Sequence, residues 1–330
     1  MGFRSAARPV GCVTAAVVAL TACGTAGGSS GAGDDEAAAT AEGELTSITV
    51  GVLPNADVAP IYLGIDQGFF EDAGLDVTLQ VSQGGAAVVP AVVSGEFDFG
   101  FSNFGSILVA ADQGLPLQVV APGAFSTGEV GRDVSAVVTV PGSGVESAAD
   151  LAGATVATNT LGNNFVMTVG HVVDSDGGDA GQINWVEIPW PDQTAALTEG
   201  RVDAAVLVEP FLSGALEQGV TPVVWNWAET DPDFLIASYF TTEPYAQSNP
   251  DAVEAFSSAM EESLAYAQEH PDELRATIGE YTEIAPEALE KMTLSRFDGS
   301  LDLEHLQEQA ELAREYGMIT GEVDVRALLP

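Results

Sequence analysis

The sequence predicts an α/β protein of two similar lobes, each built on a largely parallel sheet. Two observations carry that prediction. From residue 48 onward, apolar runs of strand length alternate with segments of helix length, the pattern of consecutive βαβ units. One such unit then has an echo downstream. "SGEFDFGFSNFG", starting at Ser94, and "EGRVDAAVLVEPF", starting at Glu199, share an order of features. Each has a helix ending in glycine, an apolar-Asp pair, a short apolar strand, and a polar residue opening a new helix.

Taken in order, residues 48–53 read as a buried strand and 54–59 as a loop. Residues 60–70 read as a helix. Leu75, Val77, Leu79 and Val81 alternate as a strand facing a core on one side. Gln83-Gly84-Gly85 opens the next helix, Gly95 closes it, and 96–101 is the next strand. Gly95 and Gly200 can adopt the left-handed conformation that stops a helix. Asp98 and Asp203 stand at the strand starts. The two strands deliver Ser102-Asn103 in one half and Glu209 in the other to helix N-termini. Coincidence among common αβ turns is the competing explanation of this echo. After Phe240 the chain turns helical. Asn249-Pro250 is a cap with proline at the first helical position, and Val253, Phe256, Met260, Leu264 and Ala267 form one apolar stripe. Further helices are expected at 271–281, 286–294 and 303–316.

The N-terminus has a different organisation. Arg4 and Arg8 precede an apolar run over 10–20, the length of a signal-peptide core and too short to span a bilayer. Leu20-Thr21-Ala22-Cys23 resembles the bacterial lipobox, in which the cysteine receives a diacylglycerol and becomes the first mature residue. An ordinary secretory signal with an incidental cysteine is the alternative. The expected organisation is a lipoprotein signal peptide over 1–22, then lipidated Cys23 and a disordered tether over 23–45. The tether is Gly, Ser, Ala, Thr and acidic residues and cannot bury enough apolar surface to order itself. With no Arg-Arg pair, general export is expected. Gly27-Gly28-Ser29-Ser30-Gly31 matches the spelling of a nucleophile elbow but lacks the flanking strand and helix.

Composition excludes several functions. The formal charge is −40, which repels nucleic acid. A P-loop needs Gly-Lys-Ser/Thr, and the lone lysine, Lys291, lies in Glu-Lys-Met. The acidity fits a solvated surface, such as one adapted to high salt, or a preference for cationic ligands. Apart from Cys23 the only cysteine is Cys12, in the leader, so thiol chemistry is not expected. His171, His270 and His305 are far apart and form no metal or triad spacing, so neither cofactor nor metal is expected.

The stretch "VGVLPNADVAPIYLGIDQGFFEDAGLDVTLQVSQGGAAVVPAVVSGEFDFGFSNFGSILVA" resembles the SsuA/THI5-like (NMT1-like) substrate-binding proteins of ABC importers. The signs are the opening strand with its polar loop, Gly64-x-x-x-Gly68-Phe69-Phe70, Gly74-Leu75, Gly84-Gly85, and Gly95-Glu96-Phe97-Asp98. The resemblance implies a two-lobe type II periplasmic-binding-protein fold with two crossover hinge strands. It places lobe 1 at 46–133 plus 239–330 and lobe 2 at 134–238. It also implies partners: a small-molecule ligand, an ABC permease with its ATPase, and the cell membrane through Cys23. The protein is then an extracytoplasmic, membrane-anchored monomer. THI5-type pyrimidine synthases are similar to this family and carry a CCCFC motif. None occurs here, so an enzyme is not expected and stays a remote alternative.

In such a fold, loops at the carboxyl ends of strands line the cleft, and helix N-termini there favour anions. The candidate ligand-binding residues are Asn55, Ala56, Asp57, Tyr62, Gln83, Gly84, Gly85, Ser102 and Asn103 in the first lobe. In the second they are Asn159, Thr160, Asn163, Trp190, Asp192 and Glu209. Capping explains Asn103, Asn163 and Asp192 equally well, turn chemistry Gly84-Gly85, a helix start Glu209, and core packing Tyr62 and Trp190. Trp225 and Trp227 read as core or rim. The resemblance implies a sulfonate, taurine or nitrate-type solute, with a thiamine-precursor pyrimidine as the alternative. No Arg or Lys lies in these loops; Arg132, by the hinge, is nearest. Asp57, Asp192 and Glu209 lean toward a ligand with amino donors. A structural or adhesive surface lipoprotein is the remaining rival.

Overall fold

The computed structural model describes residues 45–82, 84–282, 284 and 286–329. The leader, Cys23, the tether up to residue 44, and Gln83 lie outside the described residues.

Ten strands form two five-stranded sheets. The strands are β1 (Thr46–Val52), β2 (Leu75–Val81), β3 (Phe99–Asn103), β4 (Leu117–Phe125), β5 (Ser135–Thr139), β6 (Thr155–Thr158), β7 (Asn184–Glu187), β8 (Ala204–Val208), β9 (Thr221–Val224) and β10 (Leu235–Thr242). The first sheet has order β2-β1-β3-β10-β4 and the second β7-β6-β8-β5-β9. In each, the first three strands are parallel and the fourth is antiparallel to both neighbours. The chain passes to the second sheet between β4 and β5 and returns between β9 and β10. The antiparallel strand of each sheet is therefore the first one laid down after a crossing, which is the expected pair of crossover strands. The first sheet takes up the return strand at Leu235.

Twelve helices cover the described residues: α1 (Ala59–Gln67), α2 (Phe69–Asp72), α3 (Gly85–Val93), α4 (Phe104–Asp112), α5 (Asn164–Ser175), α6 (Trp190–Thr198), α7 (Phe211–Glu217), α8 (Glu243–Ser248), α9 (Pro250–Glu269), α10 (Pro271–Tyr281), α11 (Pro286–Lys291) and α12 (Leu303–Glu315). The apolar stripe of α9 faces the core: Phe256, Met260, Leu264 and Ala267 are buried, and Phe256 stacks on Phe99 of β3 at 4.2 Å.

Several expected boundaries move. The helix at 60–70 breaks into α1 and α2 because Gly68 is left-handed, with φ of 86°. The loop at 54–59 holds a 3-10 turn at Ala56–Val58. The strand at 96–101 begins only at Phe99, and Asp98 just before it accepts the main-chain N–H of Thr49 with its carboxylate. The helix expected at 286–294 stops at Lys291.

One buried carboxylate knots the crossings together. Asp133, just before β5, accepts from Ser126 Oγ at 2.8 Å, from the N–H groups of Thr127 and Val134, and from the N–H of Ala228 on the returning segment at 3.0 Å. A charge removed from water needs this many donors to persist.

Candidate functional site

The sheets meet where the carboxyl ends of their parallel strands converge. The main-chain N–H of Ala56 donates to the Glu209 carbonyl at 3.2 Å. Ser106 Oγ, in the first turn of α4, donates to Gly162 O at 3.2 Å. Asn164 Nδ2, at the start of α5, donates to Ile236 O on β10 at 3.1 Å. Gly84 faces Thr160 so closely that a β-carbon there would lie 2.8 Å from Thr160 Cγ2.

Between these contacts lies a cavity lined by Leu53, Asn55, Asp57, Phe101, Asn103, Asn159, Asn164, Phe165, Trp190, Val208, Trp227, Ile236 and Ala237. Its free space, about 20 Å³ open to the centre of a water-sized sphere, suits one water. A larger solute needs the cavity to widen. A roomier groove of about 750 Å³ lies outside, between β4, α9 and Phe297–Leu301. None of its lining side chains holds a buried polar atom without a partner, and an acidic rim alone gives no specificity, so the site is placed in the smaller cavity.

Four polar atoms at the cavity are buried and have no hydrogen-bond partner: Asn55 Oδ1, Asn164 Oδ1, Trp190 Nε1 and Trp227 Nε1. Buried polar groups are rarely left so, and four lining one cavity, Asn55 from the first-sheet side and the other three from the second, form a ready hydrogen-bonding surface. Their rings and amides are held rigidly. Phe165 stacks on Trp227 at 5.4 Å and Phe211 on Trp190 at 6.1 Å. Asn55 Nδ2 donates to Asp57 Oδ2 at 2.9 Å, and Ser295 Oγ donates to Asp57 Oδ1. Burial pushes the Asp57 carboxyl up to about 7. The Ser295 hydroxyl opposes this, and the Asp133 and Glu209 carboxylates add to it. No lysine or arginine is among the lining residues.

The candidate residues separate into groups. Asn55, Asp57, Asn103, Asn159 and Trp190 line the cavity. Ala56 sits between two of them and spends its N–H on Glu209. Gly84 and Thr160 face each other at the rim, and Gly85 begins α3. Asn103 and Asn163 also cap: Asn103 Oδ1 accepts from Ser106 N at 2.8 Å and Asn163 Oδ1 from Phe165 N at 3.1 Å. Asn163 Nδ2 donates to Asn159 Oδ1 at 2.9 Å and so orients a lining residue. Ser102 is wholly buried, its hydroxyl turned to Asn103 O.

Three candidates stand elsewhere. Tyr62 stacks on Tyr281 at 4.3 Å, away from the cavity lining. Asp192 is exposed on the first turn of α6. Glu209 is buried beside Ala56, but its carboxylate is occupied by Ser213 N at 3.0 Å, Ser213 Oγ at 2.8 Å and Thr293 N at 3.1 Å. Burial raises its pKa, and those hydrogen bonds and the Arg275 charge pull it back. Glu209 therefore ties the segments together and has little left for a solute.

Sequence reasoning missed Phe101, Phe165, Asn164 and Ser295 and left Trp227 as core or rim. The aromatics look like any core residue in sequence. Asn164 adjoins the singled-out Asn163, so a polar pair opening a helix was a usable signal. Ser295 reaches Asp57 from the far end of the chain, and no local pattern marks it. His171 packs edge-on to Tyr316, His270 stacks on Tyr266, and His305 faces Asp231, all away from the cavity.

A model of the NMT1/THI5-like family matches residues 55–274. The formylaminopyrimidine-binding protein of Halalkalibacterium halodurans is 26% identical over 265 residues, covering 78% of this chain and 74% of that protein. Among solved structures, the fold is similar to the alkanesulfonate-binding protein SsuA from Xanthomonas axonopodis pv. citri bound to MOPS. The TM-score is 0.73 at 16% identity, over 87% of this chain and 99% of that one. It is also similar to the nitrate-binding protein NrtA from Synechocystis PCC 6803, with a TM-score of 0.70 at 14% identity over 86% and 85%.

Proposed function

The chain belongs to the NMT1/THI5-like family, and from that premise we propose that it is the solute-binding receptor of an ABC importer. It captures a small solute between its two sheets and delivers it to the permease and ATPase. The observation that carries this reading is the interlobe cavity with four buried, unpartnered polar atoms. Unpaired donors and acceptors facing each other across two sheets suit the enclosure of a small polar solute. Lobes taken as 46–133 plus 239–330 and 134–238 would rock about the Asp133 knot, and the closed form is the one the permease would recognise.

The ligand reading that the solved neighbours favour is a sulfonate, taurine or nitrate-type solute. A thiamine-precursor pyrimidine is the second reading. It is favoured by the formylaminopyrimidine-binding relative and by aromatic faces on both sides of a cavity that offers donors and acceptors together. Lipidation of Cys23 would anchor a monomeric receptor outside the cell membrane. Among the described residues no helix is long and apolar enough to cross a membrane. Loss of membrane association in Cys23→Ala tests that part.

Thermal unfolding of the purified protein with taurine, a C2–C6 alkanesulfonate series, nitrate, and aminomethyl- and formamido-pyrimidines near millimolar tests the receptor role. A micromolar ligand at that excess stabilises by about 4 kcal/mol, which raises the midpoint by several degrees. A shift with one chemical class supports the reading. No shift, and no solute co-purifying in native mass spectrometry, would contradict it.

A further inference from the structure

The polarity of the free atoms in the cavity is fixed by their neighbours. Asn55 points its Nδ2 at the Asp57 carboxylate and Asn164 points its Nδ2 at the Ile236 carbonyl. Turning either amide over would set oxygen against oxygen, so both free atoms are carbonyl oxygens, which only accept. The indole N–H groups of Trp190 and Trp227 only donate. Asp57, 4% exposed, adds two oxygens that each receive a single neutral donor and keep accepting capacity.

We propose that Asp57 is the specificity-determining residue of this cavity, and that the solute carries an amino group or an equivalent N–H edge. The Asp57 carboxyl and the Asn55 and Asn164 carbonyl oxygens accept from that edge, and acceptor atoms elsewhere on the solute take the two indole N–H groups. The proposal rests on the receptor reading above and narrows its ligand.

The charges around the site favour the same class. The Asp133 and Glu209 carboxylates repel negative charge at Asp57, and the Tyr239 and Tyr281 phenols are the other titratable groups on which its charge acts. The guanidinium that acts on this neighbourhood, Arg275, lies beside Glu209 and spends Nη1 on the Leu289 and Met292 carbonyls. A bare anion would gain two indole donors and face three carboxyl groups. An amine on the same molecule turns that repulsion into attraction. Of the three acidic residues that suggest amino recognition in sequence, Asp192 is exposed and Glu209 is occupied, so the role falls to Asp57.

The test is calorimetric titration of the purified protein with matched pairs. Taurine is compared with ethanesulfonate, and 4-amino-5-hydroxymethyl-2-methylpyrimidine with 5-hydroxymethyl-2-methylpyrimidine, which carries no amino group. In at least one pair the amine-bearing member should bind about tenfold tighter or more, which is about 1.4 kcal/mol. Asp57→Asn should shrink that ratio to less than about threefold, below about 0.7 kcal/mol. Ser295→Ala, which leaves the carboxylate in place, should keep it. Thermal unfolding of each variant checks that it folds, and the ratio within a pair cancels a general loss of affinity. Equal binding within every pair, or a ratio unchanged in Asp57→Asn, overturns the proposal. Binding by none of the four also overturns it. The identity of a co-purifying solute then tells whether the receptor reading survives without the amine.

Discussion

The main-chain N–H of Thr293 donates to the carboxylate of Glu209 at 3.1 Å, joining a segment near the C-terminus to the end of β8 in the second sheet. The same Glu209 accepts the N–H of Ala56 through its carbonyl, and Ser295, two residues beyond Thr293, holds Asp57. The loop at 55–57, Glu209 and the segment 293–295 thus form one hydrogen-bonded circuit between the two sheets. Glu209→Ala should weaken every ligand by a similar factor, about tenfold, because it loosens closure and leaves the amine preference alone. It should also lower stability by about 1–3 kcal/mol, since it orphans three half-buried donors of Ser213 and Thr293. Denaturant unfolding and calorimetry with the matched pairs measure both.

Asp57 should make the ligand-free protein less stable as pH rises. Its carboxyl lies near 7 in the folded chain, against 3.8 for an ordinary aspartate. A raised folded value means the native state holds the proton longer than the unfolded state. Its contribution is complete below about pH 4 and is lost as pH climbs through about 7, at up to about 1.4 kcal/mol per unit. Asp57→Asn should flatten that part of the profile and be the more stable protein at pH 8. Urea unfolding from pH 4 to 8 checks the sign.

Gly84 offers a way to hold the sheets apart. Its φ of −179° is open to any residue, so a larger side chain strains no backbone. The clash with Thr160 arises only when the sheets approach as they do here. Gly84→Val should lower stability by about 1–3 kcal/mol, since it disfavours the approach seen here, and weaken ligand binding about tenfold or more.

Asp98 and Asp203 should behave as a pair. Each accepts a main-chain N–H at 2.8 Å, from Thr49 and Thr155 respectively, and each returns its own N–H to the same residue's carbonyl at 2.9 Å. Asp98→Ala and Asp203→Ala should cost about the same, about 1–3 kcal/mol each, measured by denaturant unfolding.

That pair also shows how far the sequence could be read. The echo between the two halves is a structural repeat, visible because glycine stops, aspartate ties and short apolar strands are local signals. Gly95 and Gly200 do turn left-handed, with φ of 77° and 71°. The polar loops Asn55–Asp57, Asn103 and Asn159 were legible for the same reason, since strand ends and helix starts are written locally. What stayed hidden depends on the closing of the chain on itself. Nothing near Tyr62 shows that Tyr281 will cover its ring. Nothing near Glu209 shows that Thr293 will claim its carboxylate, and a Phe or Trp in sequence does not reveal whether it faces core or cavity.

The central claim, that a small solute is held between the two sheets, is tested most directly by one comparison. A panel compound that raises the unfolding midpoint of the wild-type protein is applied at the same concentration to Gly84→Val. The account predicts that the stabilisation, measured from each protein's own unliganded midpoint, is largely lost in the variant. Equal stabilisation of both proteins would place the solute outside the cleft and contradict the account.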